Sequence, residues 1–293
     1  MKIHFLLLLL LPIVFACNTA TKKILDDQKN KSKTIHTPQD VEIFKAFITL
    51  FQDQKDAPVA DIVIKAGIYL LNTPYAEHTL ERDTEQLVIN LREMDCTTFV
   101  ENSFALARTL KSEKHEFEQF VKELTNMRYR YGRVNDYTYR LHYFSDWMFV
   151  NTQNNLLKDV TKDIAGTPLI KEINFMSTHP HNYKQLTDGT LVPVIAEQEK
   201  EISTREMYFI PKNKLTEVED KLMNGDIIAI TTSIEGLDVS HTALLIRIND
   251  AIHILHASSA KGKVVISDET LHDYLMQNKQ ATGIMVARPL TIQ

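Results

Sequence analysis

The chain has two cysteines among its 293 residues, and one of them, Cys17, lies at the end of an apolar leader. Without that leader a single thiol remains, Cys96, so no disulfide can form within the mature chain. Positive charge is not in surplus either. There are 33 Lys and Arg against 38 Asp and Glu, a formal charge of −5 that becomes −6 when the leader removes Lys2. An acidic chain is a poor candidate for nucleic-acid binding, which rests on phosphate neutralisation by Lys and Arg. His-Glu-x-x-His is missing, and His179-Pro180-His181 has no third and fourth ligand at usable spacing. That segment reads as an irregular loop, and neither a metal nor an organic cofactor is expected. No internal repeat is seen, which argues against solenoids and arrays.

What is present begins with Met1-Lys2, an unbroken apolar block over residues 5–11, and Val14-Phe15-Ala16-Cys17. A positive start, a short apolar core and small residues before a cleavage point make a secretory signal, too short for a membrane span. The tetrapeptide resembles the bacterial lipobox. That implies a signal peptide over residues 1–16, diacylation of the Cys17 sulfur, and an exported protein anchored to a bacterial membrane, facing the periplasm. An exported compartment permits disulfides, so a lone thiol kept there argues for chemistry. Residues 17–37 are polar and lysine-rich and read as a flexible tether. Residues 38–293 suit one domain, expected to be monomeric.

Within it, Thr37-Pro38 starts an amphipathic helix, and a second runs over about 59–71, ending at Asn72-Thr73-Pro74-Tyr75. Residues 86–91 form an extended approach to Met94-Asp95-Cys96-Thr97-Thr98-Phe99-Val100-Glu101. Asp95 is an N-cap, and Phe99, Val100, Phe104, Ala107 and Leu110 follow at helical spacing. Cys96 therefore falls in the first helical turn, where unpaired N–H groups and the macrodipole favour a thiolate. The competing reading is a small buried core residue. A further helix spans about 116–127.

Residues 128–147 hold five tyrosines (129, 131, 137, 139 and 143), Phe144, the sole tryptophan Trp147, and Arg128, Arg130, Arg133 and Arg140. Such a mixture suits stacking on sugars and pairing with carboxylates, or else a core or hinge cluster rich in tyrosine. From Arg205 on, short apolar runs at 207–210, 227–232, 242–248, 251–255, 263–266 and 283–286 read as strands, with one helix over 268–277. Helices first and strands afterwards predict an α+β domain with an antiparallel sheet or half-barrel. His241 and His256 lie 15 positions apart on strands joined by a turn at Asn249-Asp250, so their side chains can be neighbours. A nucleophilic thiol needs a base and a group that orients it, and the order Cys, His, His fits.

Asn72-Thr73-Pro74-Tyr75, Asp95-Cys96, Asn224-Gly225-Asp226-Ile227, Ser240-His241-Thr242-Ala243 and His256-Ala257-Ser258 resemble the motif series of the NlpC/P60 cysteine peptidases. More closely, residues 95–101, Arg140-Leu141-His142-Tyr143-Phe144-Ser145-Asp146-Trp147, Phe175-Met176-Ser177 with His179-Pro180, and Arg205-Glu206 with Tyr208, Ile210 and Pro211 resemble the DUF1460 branch. That branch is N-acetylmuramoyl-L-alanine amidase-like, and the likeness covers the chain beyond about residue 40. It implies a papain-like fold with a large insertion between cysteine and histidine. It also implies Cys96 as nucleophile, His241 as general base and His256 as the residue orienting it. Tyr75 would lie beside the reacting carbonyl. Asp95, Arg140, Tyr143, Trp147, Arg205 and Ser240 are the further substrate-binding candidates. Where many relatives carry valine and glycine after the histidine this chain has Thr242 and Ala243, a change a strand tolerates.

The chemistry implied is attack of Cys96 on an amide, proton donation by His241 to the leaving amine, and hydrolysis of the thioester. The partners are then peptidoglycan fragments. Three readings compete: an amidase cutting between the muramyl lactyl group and L-Ala, a γ-D-Glu–diaminopimelate endopeptidase, and a lipid-anchored module that binds muropeptides without cutting. Cys96 and His241 are 145 positions apart, whereas a helix, a turn and two or three strands need only about 50–60. The surplus includes residues 128–147, which favours an amidase gripping a disaccharide, in soluble anhydromuramyl fragments as the resemblance suggests.

Overall fold

The computed structural model describes residues 34–291, so the leader, Cys17 and most of the expected tether lie outside the described residues. The tether ends earlier than residue 37. Thr34–Ile35 (β1) pairs in parallel with Leu87–Val88 (β2), which gives the main chain there a hydrogen-bonding partner.

Pro38–Phe51 (α1) starts where the sequence predicts, at a capping box. The Thr37 N–H donates to the Asp40 carboxylate at 2.7 Å, and Asp40 N–H donates back to the Thr37 hydroxyl. Val59–Tyr69 (α2), Cys96–Lys111 (α3) and Phe117–Arg128 (α4) follow. α3 is the central helix, buried from Thr98 through Leu110. It packs on α1, α2 and α4 and, on its other side, on two strands of the main sheet. Two ion pairs fasten it to α4: Arg108 Nε to Glu123 and Arg128 Nε to Glu101, each at 2.7 Å.

The long connection between Cys96 and the sheet then adds Phe144–Gln153 (α5), Leu157–Asp159 (β3), Thr167–Pro168 (β4) and Val192–Ser203 (α6). Neither helix was expected. α5 is buried on most sides, with Phe144, Ser145, Asp146, Trp147, Met148 and Asn151 all interior, so it shows no clear apolar stripe to read. The loop expected at 176–181 contains a one-turn helix, Phe175–Thr178, followed by the 3-10 turn Pro180–Asn182.

The remaining strands are Tyr208–Pro211 (β5), Ile227–Thr232 (β6), Val239–Ile248 (β7), Ala251–Ser258 (β8), Lys263–Ile266 (β9) and Ala281–Pro289 (β10), with the helix Leu271–Gln277 (α7) before the last. They form an antiparallel sheet in the order β4-β5-β10-β6-β7-β8-β9, and β3 also pairs with β10. Ile227 and Ala229 of β6 join the core beneath the helices, while Ile228 and Ile230 join a second core with Leu271 and Leu275 of α7. Both faces are covered, which is why β6 reads as a continuous apolar run rather than an alternating one. Asn249 and Asp250 turn β7 into β8 with φ of 47° and 66°, the left-handed pair that tight hairpins require. The expected α+β architecture and each expected strand are present.

One glycine earns its place by contact. Gly225, at φ +83°, would place a Cβ 2.4 Å from the Ala60 carbonyl oxygen, so any side chain would force the loop before β6 off α2.

Candidate active site

Asp95 sets the start of α3. Its carboxylate accepts from the Thr98 N–H at 2.8 Å, and its own N–H donates to the Thr98 hydroxyl at 2.9 Å. Cys96 is the first helical residue and a free thiol. With the capping box using the Asp95 and Thr98 N–H groups, the Cys96 and Thr97 N–H groups remain with no carbonyl of the helix in reach. The sequence predicts a lowered thiol pKa here. The structure reverses that direction: burial pushes the Cys96 thiol up and the Asp95 carboxylate adds to the rise. The Thr242 N–H and hydroxyl and the Thr97 hydroxyl oppose it weakly. The cap that starts the helix thus places a negative charge beside the sulfur. At rest Cys96 is a thiol.

Two histidines come from the sheet. β7 and β8 pair Leu244 with Leu255. His241, three residues before Leu244, and His256, one after Leu255, therefore share the opposite face as diagonal neighbours. Their rings meet with His241 Nε2 and His256 Nδ1 2.7 Å apart. Tyr274 of α7 backs both, 6.4 Å from the first ring and 5.5 Å from the second. Burial holds both imidazoles neutral, with His241 lowered to about 3, helped by His256, and His256 to about 4.

Cys96 and His241 face one cavity of about 150 Å³, whose wall also includes His142, Tyr143, Tyr183 and Asp238. A pocket for a whole drug-sized ligand runs to roughly 300–1,000 Å³, so this one holds only part of a large substrate. No group of three or more His, Cys, Asp or Glu that could hold a metal occurs among the described residues, His179 and His181 included.

The family model described as AmiA-like, N-acetylmuramoyl-L-alanine amidase-like, matches residues 65–284. The chain belongs to this AmiA-like (DUF1460) family. A solved N-acetylmuramoyl-L-alanine amidase from Bacteroides uniformis is 38% identical with a TM-score of 0.76, over 79% of this chain and 99% of that one. A Bacteroides fragilis structure provisionally named a xylanase is 41% identical with a TM-score of 0.72, over 76% and 99%. A Legionella pneumophila protein of the DUF1460 family model shares the fold at 24% identity and a TM-score of 0.67, over 92% and 96%. No curated protein matches the chain.

In this AmiA-like chain the residues expected to bind substrate divide sharply. Tyr143 and Ser240 line the cavity, although the Tyr143 hydroxyl is engaged, donating to Glu199 at 2.6 Å and accepting from the Met176 N–H. Burial, with Cys96, Glu77 and Asp95 adding to it, keeps the Tyr75 phenol protonated. Asp95 is a cap rather than a ligand contact.

Trp147, Arg140 and Arg205 are corrected. Trp147 is wholly buried, stacked on Phe144 at 4.7 Å. Arg140 is 5% exposed, paired with Glu81 at 2.8 Å and Glu85 at 3.3 Å. Arg205 holds Asp146 and Glu201 at 2.6 Å and lies over the Phe149 ring. Trp147 and Arg140 cannot meet a ligand without unpacking the fold, and Arg205 lines a different cavity from the one Cys96 faces. Residues the sequence reading passed over, His142, Tyr183, Asp238 and Tyr274, surround the site instead. Only His142 carried a signal in advance, lying inside the Arg140-to-Trp147 motif.

Proposed function

We propose that this AmiA-like chain is a cysteine-dependent amidase that cleaves the bond between the N-acetylmuramyl lactyl group and L-Ala of soluble muropeptides. On this reading the site follows the papain-like plan of the NlpC/P60 peptidases. The observation that carries it is the 2.7 Å contact between His256 and His241, the latter lining the cavity that Cys96 faces.

With Nε2 directed at His256, the other ring nitrogen of His241, Nδ1, is the one left for the thiol. It can accept the thiol proton only if Nε2 carries hydrogen and donates to His256 Nδ1. His256 therefore selects the working tautomer and acts as a positioning residue. Because the resting pair is neutral, proton transfer from Cys96 to Nδ1 accompanies attack on the carbonyl. The Cys96 and Thr97 N–H groups are the nearest donors for the developing oxyanion. The imidazolium returns its proton to the amine of L-Ala as the C–N bond breaks. Water, deprotonated by the same nitrogen, then splits the thioester, freeing the lactyl carboxylate and the thiol.

A glycosidase would need two carboxylates flanking the bond. Among the described residues lining the cavity, Asp238 is the only carboxylate, which speaks against a xylanase. Mass spectrometry of a disaccharide-tetrapeptide digest, beside a sugar-free tetrapeptide, tests the bond assignment. Release of whole stem peptide is expected, and cleavage of the sugar-free peptide at γ-D-Glu at a comparable rate would overturn it. Export and lipidation at Cys17 belong to the same proposal. Cys17→Ser should give a soluble exported protein, and persistent membrane partition would contradict the anchor.

A further inference from the structure

The cavity wall formed by His142 and its neighbours has no part in the chemistry just described, yet its polar groups are held in defined states. His142 Nε2 lies 2.7 Å from the Tyr137 carbonyl oxygen. A carbonyl only accepts, so Nε2 carries the hydrogen. The Tyr137 ring lies tilted against the imidazole, centroids 4.2 Å apart. Burial, with Arg140 nearby, keeps the ring neutral. Its Nδ1 is then a fixed lone pair, and it has no hydrogen-bond partner among the described residues.

Beside it, the Asp238 carboxylate is 1% exposed and accepts from the Ser145 N–H at 2.8 Å and its neighbour Val239 N–H at 2.7 Å. Each oxygen keeps a lone pair. The Tyr183 hydroxyl, pushed up to about 12 by burial and by Glu199, Glu81 and Asp238, stays protonated. Among the described residues no Lys or Arg lines the cavity. This side of the cavity therefore offers the acceptors of His142 and Asp238 beside the Tyr183 hydroxyl, and with no cation in the lining it disfavours an anionic group.

The geometry points to a specificity subsite in which His142 Nδ1, with Asp238 and Tyr183, accepts hydrogen bonds from the N–H and hydroxyl groups of an amino sugar on the acyl side of the scissile bond. This rests on the amidase reading. The leaving L-Ala amine belongs to His241, so a second set of acceptors serves the other half of the substrate. Lactyl ethers of amino sugars carry an acetamido N–H on the adjacent carbon, a neutral donor of the required kind.

The test compares kcat/KM on a disaccharide-tetrapeptide with that on the same stem carrying only D-lactate on L-Ala. For the wild type the sugar-bearing substrate is preferred. His142→Leu should reduce that preference at least tenfold, through KM on the sugar-bearing substrate more than through kcat, and His142→Asn, which keeps an acceptor near Nδ1, should restore most of it. Tyr183→Phe, which removes a single oxygen, supplies the same reading if His142→Leu melts early. Equal losses on both substrates, or an unchanged preference in both variants, would overturn the subsite while leaving the amidase intact. A wild type that cuts neither lactyl amide would overturn both.

Discussion

Two stretches of this chain look alike on paper and fold to opposite ends. Residues 128–147 hold aromatics and arginines, and residues 238–256 hold scattered polar groups among strands. Both invite a functional reading. In the first, three of the four arginines are matched inside the protein: Arg128 by Glu101, Arg130 by Asp146, and Arg140 by Glu81 and Glu85, while Arg133 is exposed over the Tyr131 ring. In the second, Asp238 and His241 reach a cavity with hydrogen-bonding capacity left over. The difference lies in partners contributed from elsewhere in the chain. An arginine beside a tyrosine is a ligand site only if no buried carboxylate claims it first.

The sharpest way to break this comparison is to remove the thiol. Cys96→Ala should abolish turnover, a loss on the order of 10³-fold or more, with the melting temperature little changed. Iodoacetamide should inactivate the wild type and a chelator should not. Inactivation by chelator that zinc reverses would instead return attention to His179 and His181.

The second prediction concerns the matched stretch, where damage should appear as lost stability. Trp147→Ala removes a fully buried side chain and should cost about 3–5 kcal/mol. Arg140→Ala leaves Glu81 and Glu85 unpaired at a similar cost of about 3–5 kcal/mol. Thermal or denaturant melts measure both. A normal melt with a raised KM would restore Trp147 or Arg140 to the substrate.

Strands and helix starts were legible because their signals are local: the Thr37 and Asp95 caps, the left-handed Asn249-Asp250 turn, the apolar runs of β6 and β7. The histidine pair was legible because a hairpin converts a spacing of 15 into contact. The rest rests on distant pairings that periodicity does not carry. Asp238 meets α5 through the Ser145 N–H, 93 positions away. Tyr274 reaches the histidines only because α7 covers the far face of the sheet. The thiol pKa was misjudged because the helix terminus was visible in sequence and the depth of burial was not.

A smaller effect separates the two regions by pH. His256 is 2% exposed and its folded pKa is lowered to about 4 from 6.5. The unfolded chain therefore takes up a proton first as pH falls through 6.5. Stability is full above that pH and declines below it, by about 2 kcal/mol at pH 5 from this residue alone. Melts at pH 8 and pH 5 should show the loss, and His256→Gln should shrink it. Activity should behave differently. The base form of His241 persists above about 3, so kcat/KM should hold through pH 6.5, where a free imidazole would fail. A midpoint near 6.5 would mean that His241 is not the base.

What Cys96 carries during turnover distinguishes the possible reactions most directly. Acid quenching within the first turnovers on a disaccharide-tetrapeptide, followed by peptide mapping, reads the adduct on that sulfur directly. The expected species is a thioester bearing the disaccharide lactyl group, with the whole tetrapeptide already released. A thioester bearing the L-Ala–D-Glu fragment, or turnover that survives Cys96→Ala, would contradict it.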